Sequence, residues 1–185
     1  PWDELIPALE NGEGEAIIAG LAPTVELREN LTFSRPYLKF PARFVTTQSA
    51  SLAEPIYRSV AGKRVGVVRG STHEAMLRDL FSDAQPVVFP RFEAMTESLQ
   101  AGEIDAAFSD GMRLSFWLDA DERDDCCDFA GGPYLVPEFT GQGLTIAVDR
   151  NNAALAKAID AALREIDASG RFAELYLRYF PVSFF

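Results

Sequence analysis

Apolar positions recur along this chain in two rhythms, one helical and one alternating. Residues 2–11 place Leu5, Ile6 and Leu9 on one helical face and stop at Gly12, and an apolar strand follows over residues 15–19. Thr24 offers a cap to a short helix over 25–30, while Phe33-Ser34-Arg35-Pro36-Tyr37 reads as a loop because Pro36 restricts Arg35 and cannot donate to a ladder. A β-branched, aromatic run predicts a strand over 43–47, and residues 48–62 are loop-rich around Pro55. Strands are then expected at 64–68, 87–89 and 104–108. Helices are expected from Ser71 to about Phe81 and over 92–100 and 111–119. Phe129-Ala130-Gly131-Gly132-Pro133 is expected to break structure. A strand at 144–148, a long helix from Asn152 to about Ser169 with Leu155, Ile159, Leu163 and Ile166 on one stripe, and a last helix over 172–179 complete the reading.

One pattern is written twice. Leu5-Ile6-Pro7-Ala8-Leu9 leads through Asn11-Gly12-Glu13-Gly14 to Glu15-Ala16-Ile17-Ile18. About ninety residues later, Met95-Thr96-Glu97-Ser98-Leu99 leads through Gln100-Ala101-Gly102-Glu103 to Ile104-Asp105-Ala106-Ala107-Phe108. A helix, a glycine stop and a short apolar strand are half of a βαβ unit, and its repetition implies two similar α/β lobes. The segments 43–47 and 144–148 read as two crossover strands joining them. The expected division is residues 1–46 plus 143–185 for the first lobe and 47–142 for the second. Ligands of such folds gather at the carboxyl ends of parallel strands, and two crossovers form a hinge that permits closure.

Charge narrows the function classes. With 185 residues and 48% hydrophobic content the chain can bury a core, and a formal net charge of −11 disfavours nucleic acid and anionic lipid. No apolar run approaches the roughly 18 residues of a membrane span. There is one histidine, His73, and there are two adjacent cysteines, Cys126 and Cys127, so no zinc spacing or multi-histidine centre is present. The cysteines are read as two thiols on alternate faces of a strand, and His73 as exposed in a first helical turn. No cofactor, metal or catalytic residue is assigned.

The candidate residues lie at strand ends. Asp110 ends the 104–108 strand, where it would hold an ammonium or guanidinium group or cap the following helix. Gly70-Ser71-Thr72 stands at a strand-to-helix turn whose free N–H groups suit a carboxylate, although Ser71 and Glu74 also form a capping box. Arg69 precedes the turn as a further charge. In the first lobe, Gly20 and Ala22 occupy the corresponding strand end, where a ligand can approach backbone closely, with Arg28 beyond. Trp2, Tyr37 and Phe40 would wall a pocket or belong to the core.

These residues in this order resemble the family 3 extracellular solute-binding proteins, the polar amino-acid receptors of bacterial ABC importers. The resemblance is carried by Trp2-Asp3-Glu4-Leu5-Ile6-Pro7-Ala8-Leu9, Ala16-Ile17-Ile18-Ala19-Gly20-Leu21 and Phe33-Ser34-Arg35-Pro36-Tyr37. It continues in Gly62-Lys63-Arg64-Val65-Gly66-Val67, Gly70-Ser71-Thr72, Ala106-Ala107-Phe108-Ser109-Asp110 and Gly141-Gln142-Gly143-Leu144-Thr145-Ile146-Ala147-Val148. It implies a periplasmic-binding-protein-like α/β fold and a periplasmic or membrane-tethered protein that captures a small polar solute, an amino acid foremost, for an ABC permease. It further implies that Thr72 meets the ligand carboxylate and Asp110 its ammonium. Two departures stand out. Where the family carries an arginine in a Thr-Pro-Glu-Arg-like run, this chain has Thr24-Val25-Glu26-Leu27, with Arg28 one residue later and turned about 100° on a helix. A ligand lacking an α-carboxylate is the alternative that this leaves open. The family also begins with a strand, a helix and a strand ahead of the Trp2-Asp3 helix. The chain is therefore read as a fragment whose first lobe is incomplete, with sheet edge and apolar surface available for self-association. A periplasmic dehydratase-like enzyme, for which Glu74 and Glu138 would be the acids, and a ligand-sensing domain are the alternatives on the same fold.

Overall fold

The structure, a computed structural model, describes residues 4–21, 23–50, 52–120, 126–180 and 182–184. The chain forms two compact units, residues 1–39 with 141–176 and residues 40–140 with 177–185. Residues 40–46 and the tail after 176, both expected in the first lobe, group with the second unit.

The second unit is built on a five-stranded sheet in the order β5-β4-β6-β3-β7. Its strands are β3 (Ala42–Thr47), β4 (Arg64–Val68), β5 (Gln85–Phe89), β6 (Ala106–Asp110) and β7 (Cys127–Tyr134). β4 runs parallel to β5 and β6, whereas β3 pairs antiparallel with β6 and β7. Alternation along each strand sorts side chains to two faces. On one face Phe44, Val67, Ala106 and Phe108 pack with Met76 and Leu77 of α4 (Thr72–Leu80). On the other, Val45 and Ala107 pack with Phe92, Met95 and Leu99 of α5 (Phe92–Gln100) and Leu114 of α6 (Gly111–Asp119). Each of the larger of these side chains stabilises by about 1.5–3 kcal/mol when fully buried. α5 and Ile104, in the turn before β6, come so close to β4 that a Cβ on Gly66 would lie 2.5 Å from Ile104 Cδ1 and 2.9 Å from Met95 Cγ.

The expected crossover at 43–47 is instead interior sheet. Ala42, Phe44 and Val45 are fully buried, so β3 has a strand on either side. One of those neighbours is β7, which runs through the Gly131-Gly132-Pro133 segment expected to break structure. An edge strand tolerates a proline, and a register shift opposite Ala42 and Phe44 with Gly131 at φ 71° absorbs the irregularity. The buried Arg43 supports the bend: its Nη2 donates to the Gly131 carbonyl at 2.9 Å and its guanidinium lies 4.4 Å from the Phe129 ring centroid. The tail belongs here because Phe184 is fully buried, 5.1 Å from the Phe180 ring and 6.4 Å from that of Phe40, while the Ser115 hydroxyl donates to the Val182 carbonyl. Cys126 and Cys127 at the start of β7 are joined in a disulfide, not held as the expected thiols.

The first unit carries a three-stranded antiparallel sheet in the order β1-β8-β2, from β1 (Ala16–Leu21), β2 (Leu31–Phe33) and β8 (Thr145–Asp149). β8, expected as the second crossover, is its central strand. β2 replaces part of the loop expected there, because Leu31 turns into the core and the strand pairs with β8. Leu9 of α1 (Leu5–Glu10), Ile17, Leu21, Leu31 and Ala147 form a small buried cluster, with Leu5, Ile6, Leu27 and Phe33 against it. α2 (Leu27–Asn30) is a single turn. α8 (Ala153–Ala168) is capped by Asn152, whose side chain accepts from the Leu155 N–H at 3.3 Å. Its Leu155, Ile159 and Leu163 are only half-buried and Ile166 is exposed. α9 (Arg171–Tyr179) follows Gly170. Short helices α3 (Ile56–Ser59) and α7 (Pro137–Thr140) flank the second sheet. Among the described residues no helix is long and apolar enough to cross a membrane.

Candidate functional site

The second unit brings most of the candidate residues to one edge. β4 and β6 are parallel neighbours, with Val65 beside Ala106 and Gly66 beside Ala107, so the turn Arg69-Gly70-Ser71 and Asp110 both leave at the carboxyl ends of their strands. Ser71 caps α4: its hydroxyl accepts from the Glu74 N–H at 3.1 Å and donates to the Val68 carbonyl at 2.7 Å. Glu74 reaches back past Ser71, and its Oε2 accepts from the Gly70 N–H at 2.8 Å. That bond, with Arg78 at 2.9 Å, holds the Glu74 carboxyl below its ordinary range. The Gly70 N–H is therefore occupied by the protein's own carboxylate. The N–H groups of Thr72 and His73 make no hydrogen bond among the described residues, and they point out of the first turn, where the helix dipole favours an anion. Thr72 and Arg69 are exposed, and Arg69 adds positive charge beside Glu74.

Asp110 is both the last residue of β6 and the cap of α6. Its Oδ1 accepts from the Arg113 N–H at 2.9 Å, and its Oδ2 makes no hydrogen bond among the described residues. The cap uses one oxygen and leaves an acceptor for a cation.

His73 departs from expectation. Its ring is half-buried and stands edge-on to Phe108, at 6.1 Å between centroids and 84° between planes. Burial pushes its pKa below the ordinary value, and the Asp110 carboxylate acts in the opposite sense. The clue in the sequence was spacing: His73 lies three and four residues before Met76 and Leu77, on the helix face that meets the sheet.

In the first unit the candidates are dispersed. Gly20 lies in β1 where the pairing with β8 shifts register between Ile17 and Leu21, a bulge of the kind that frees backbone groups. Ala22 and Trp2 fall outside the described residues. Arg28 is exposed, its Nη2 donating to Gln142 Oε1 at 3.2 Å with its guanidinium 5.5 Å from the Phe33 ring centroid. Leu27, in the family-arginine position, packs on the apolar cluster. Tyr37 lines a cavity of about 80 Å³ with Pro36, Leu163 and Phe172. Phe40 belongs to the second unit, beside Phe184. Among the described residues no three His, Cys, Asp or Glu side chains gather as a metal-binding group.

Two α/β units, one carrying parallel strands whose carboxyl ends meet at one edge, define a periplasmic-binding-protein-like fold. Residues 1–182 match the bacterial extracellular solute-binding proteins, family 3, and the chain belongs to that family: it is a solute-binding protein. The L-arginine-binding protein of Pseudomonas aeruginosa is 30% identical over 182 residues, covering 97% of this chain and 70% of that protein. A Salmonella typhimurium periplasmic binding protein of high arginine specificity is 29% identical with a TM-score of 0.53, over 97% of this chain and 78% of that one. The L-cystine solute receptor of Neisseria gonorrhoeae has a TM-score of 0.79 at 18% identity, over 98% of this chain and 73% of that one. At that identity the likeness bears on the fold alone.

Proposed function

We propose that this chain captures an α-amino acid, a basic one such as arginine foremost, outside the cytoplasm and delivers it to an ABC permease. The observation that carries the reading is the carboxyl edge of β4 and β6, where the Asp110 Oδ2 and the Thr72 and His73 N–H groups supply an acceptor for an ammonium and donors for a carboxylate. With Leu27 packed on the first unit's apolar cluster, Arg28 is the cation nearest in sequence to the family-arginine position. The names of the Pseudomonas and Salmonella relatives support arginine. An enzymatic role fits less well, because Glu74 is held ionised where a general acid must hold its proton. The exposed edge of β1 also makes this unit the natural place for self-association.

Isothermal titration calorimetry with the L-amino acids near about pH 8, where histidine is neutral, tests the reading. Asp110→Asn keeps a good helix cap and removes the charge. It is expected to weaken the ligand by about 2–5 kcal/mol, the cost of leaving a buried ammonium unpaired. Binding that survives Asp110→Asn at full strength, or the absence of any amino-acid heat, would sink it.

A further inference from the structure

Successive residues of a strand point to opposite faces, so Phe108 and Asp110 share one face of β6. That face is covered by α4, since Phe108 packs with Met76 and Leu77, and His73 sits one turn earlier on the same side of the helix with its ring edge-on to Phe108. The imidazole therefore lies over the end of the strand that carries Asp110. Other charged groups lie around α4: Arg69 on the preceding turn, Glu74, Arg78 and Asp79 on the helix itself, and Glu138 on α7. Tyr134, in the aromatic cluster around Phe108, stays neutral because burial pushes it up to about 12. Glu74 is tied to Gly70 and Arg78, whereas the Asp110 carboxylate favours the imidazolium against the burial of the ring.

We propose that His73 is a proton gate on Asp110: once protonated, its imidazolium competes with the ligand's ammonium for the same carboxylate, so the protein captures a cationic solute near neutrality and lets it go in acid. The inference rests on the reading of Asp110 as the ammonium partner. The sign follows from linkage. Burial already favours the neutral ring, and a bound cation disfavours the imidazolium further. Ligand therefore binds tightest above the histidine's pKa, affinity falls as pH drops through it, and binding in that range expels a proton.

His73 is the only histidine, so its C2 proton gives one resolvable NMR titration. In the ligand-free chain Asp110→Asn is expected to move that titration to lower pH, because the opposing carboxylate is gone. Saturating L-arginine is expected to move it down by about one unit, and the dissociation constant to rise roughly tenfold from about pH 8 to about pH 5. His73→Gln should flatten that profile, and His73→Lys should weaken L-arginine across the whole range. Binding with a pH profile unchanged by His73→Gln, or a histidine titration unmoved by Asp110→Asn, overturns the gate alone. No binding of any amino acid at any pH removes both the gate and the amino-acid reading.

Discussion

Gly12 and Gly102 close α1 and α5 with nearly the same left-handed backbone, at φ 75° and 72°, and each hands the chain on to a strand. The strands then meet different fates. β6 lies inside a five-stranded sheet between β4 and β3, with Ala106, Ala107 and Phe108 fully buried and helices on both faces. β1 is the edge of a three-stranded sheet, and Ile18 is 67% exposed above a groove of about 310 Å³ lined by Leu5, Ala8 and Ala19. The local pattern chose the elements, and neighbours decided what each could bury. The second unit should therefore resist opening more than the first, which has the smaller buried core.

The largest test of that contrast is Phe44→Ala. Phe44 is fully buried, with Phe108, Phe81 and Tyr134 at 4.4, 5.0 and 5.7 Å between ring centroids, and truncation should cost about 3–5 kcal/mol. Amide hydrogen exchange should show β4 and β6 losing protection while β1 and β8 keep theirs. Equal loss in both sheets would mean that the units unfold as one. A smaller effect is expected from Gly66→Ala, whose methyl meets Ile104 and Met95 and should cost about 1–3 kcal/mol in denaturant titration. The matching Gly14→Ala in the first unit meets nothing within 4 Å and should be nearly neutral. The smallest stability effect, within about 0.5 kcal/mol, is expected of Ile18→Lys. Light scattering should nonetheless show less self-association in that variant, because charge blunts an edge strand. A wild-type chain already monomeric at high concentration would break this last expectation.

Much of the second unit was legible because its elements are periodic and punctuated. The capping box at Ser71 and Glu74, the strand at Arg64–Val68 and the helix at Phe92–Gln100 each follow from residues within a few positions. β7 was not legible, since Gly131-Gly132-Pro133 argues locally for a break and only the demand of β3 for a partner makes it strand. The same limit hid the central places of β3 and β8, which local pattern cannot tell from crossovers. At the site, Asp110 and Thr72 were visible from strand ends, but the burial of His73 depends on Phe108, thirty-five residues away in sequence. Glu74 occupying the Gly70 N–H is likewise a matter of side-chain reach that capping statistics leave open.

The bond between Cys126 and Cys127 joins neighbours, so it encloses no loop of chain. Cross-links stabilise largely by curbing the wandering of an unfolded chain, and the benefit grows with the length enclosed. A link between adjacent residues curbs almost none of it. Reducing this pair should leave the melting temperature nearly where it was, and its persistence depends on oxidising surroundings of the kind found beyond the cytoplasm. The pair is a local clip at the start of β7 more than a brace that holds the fold together.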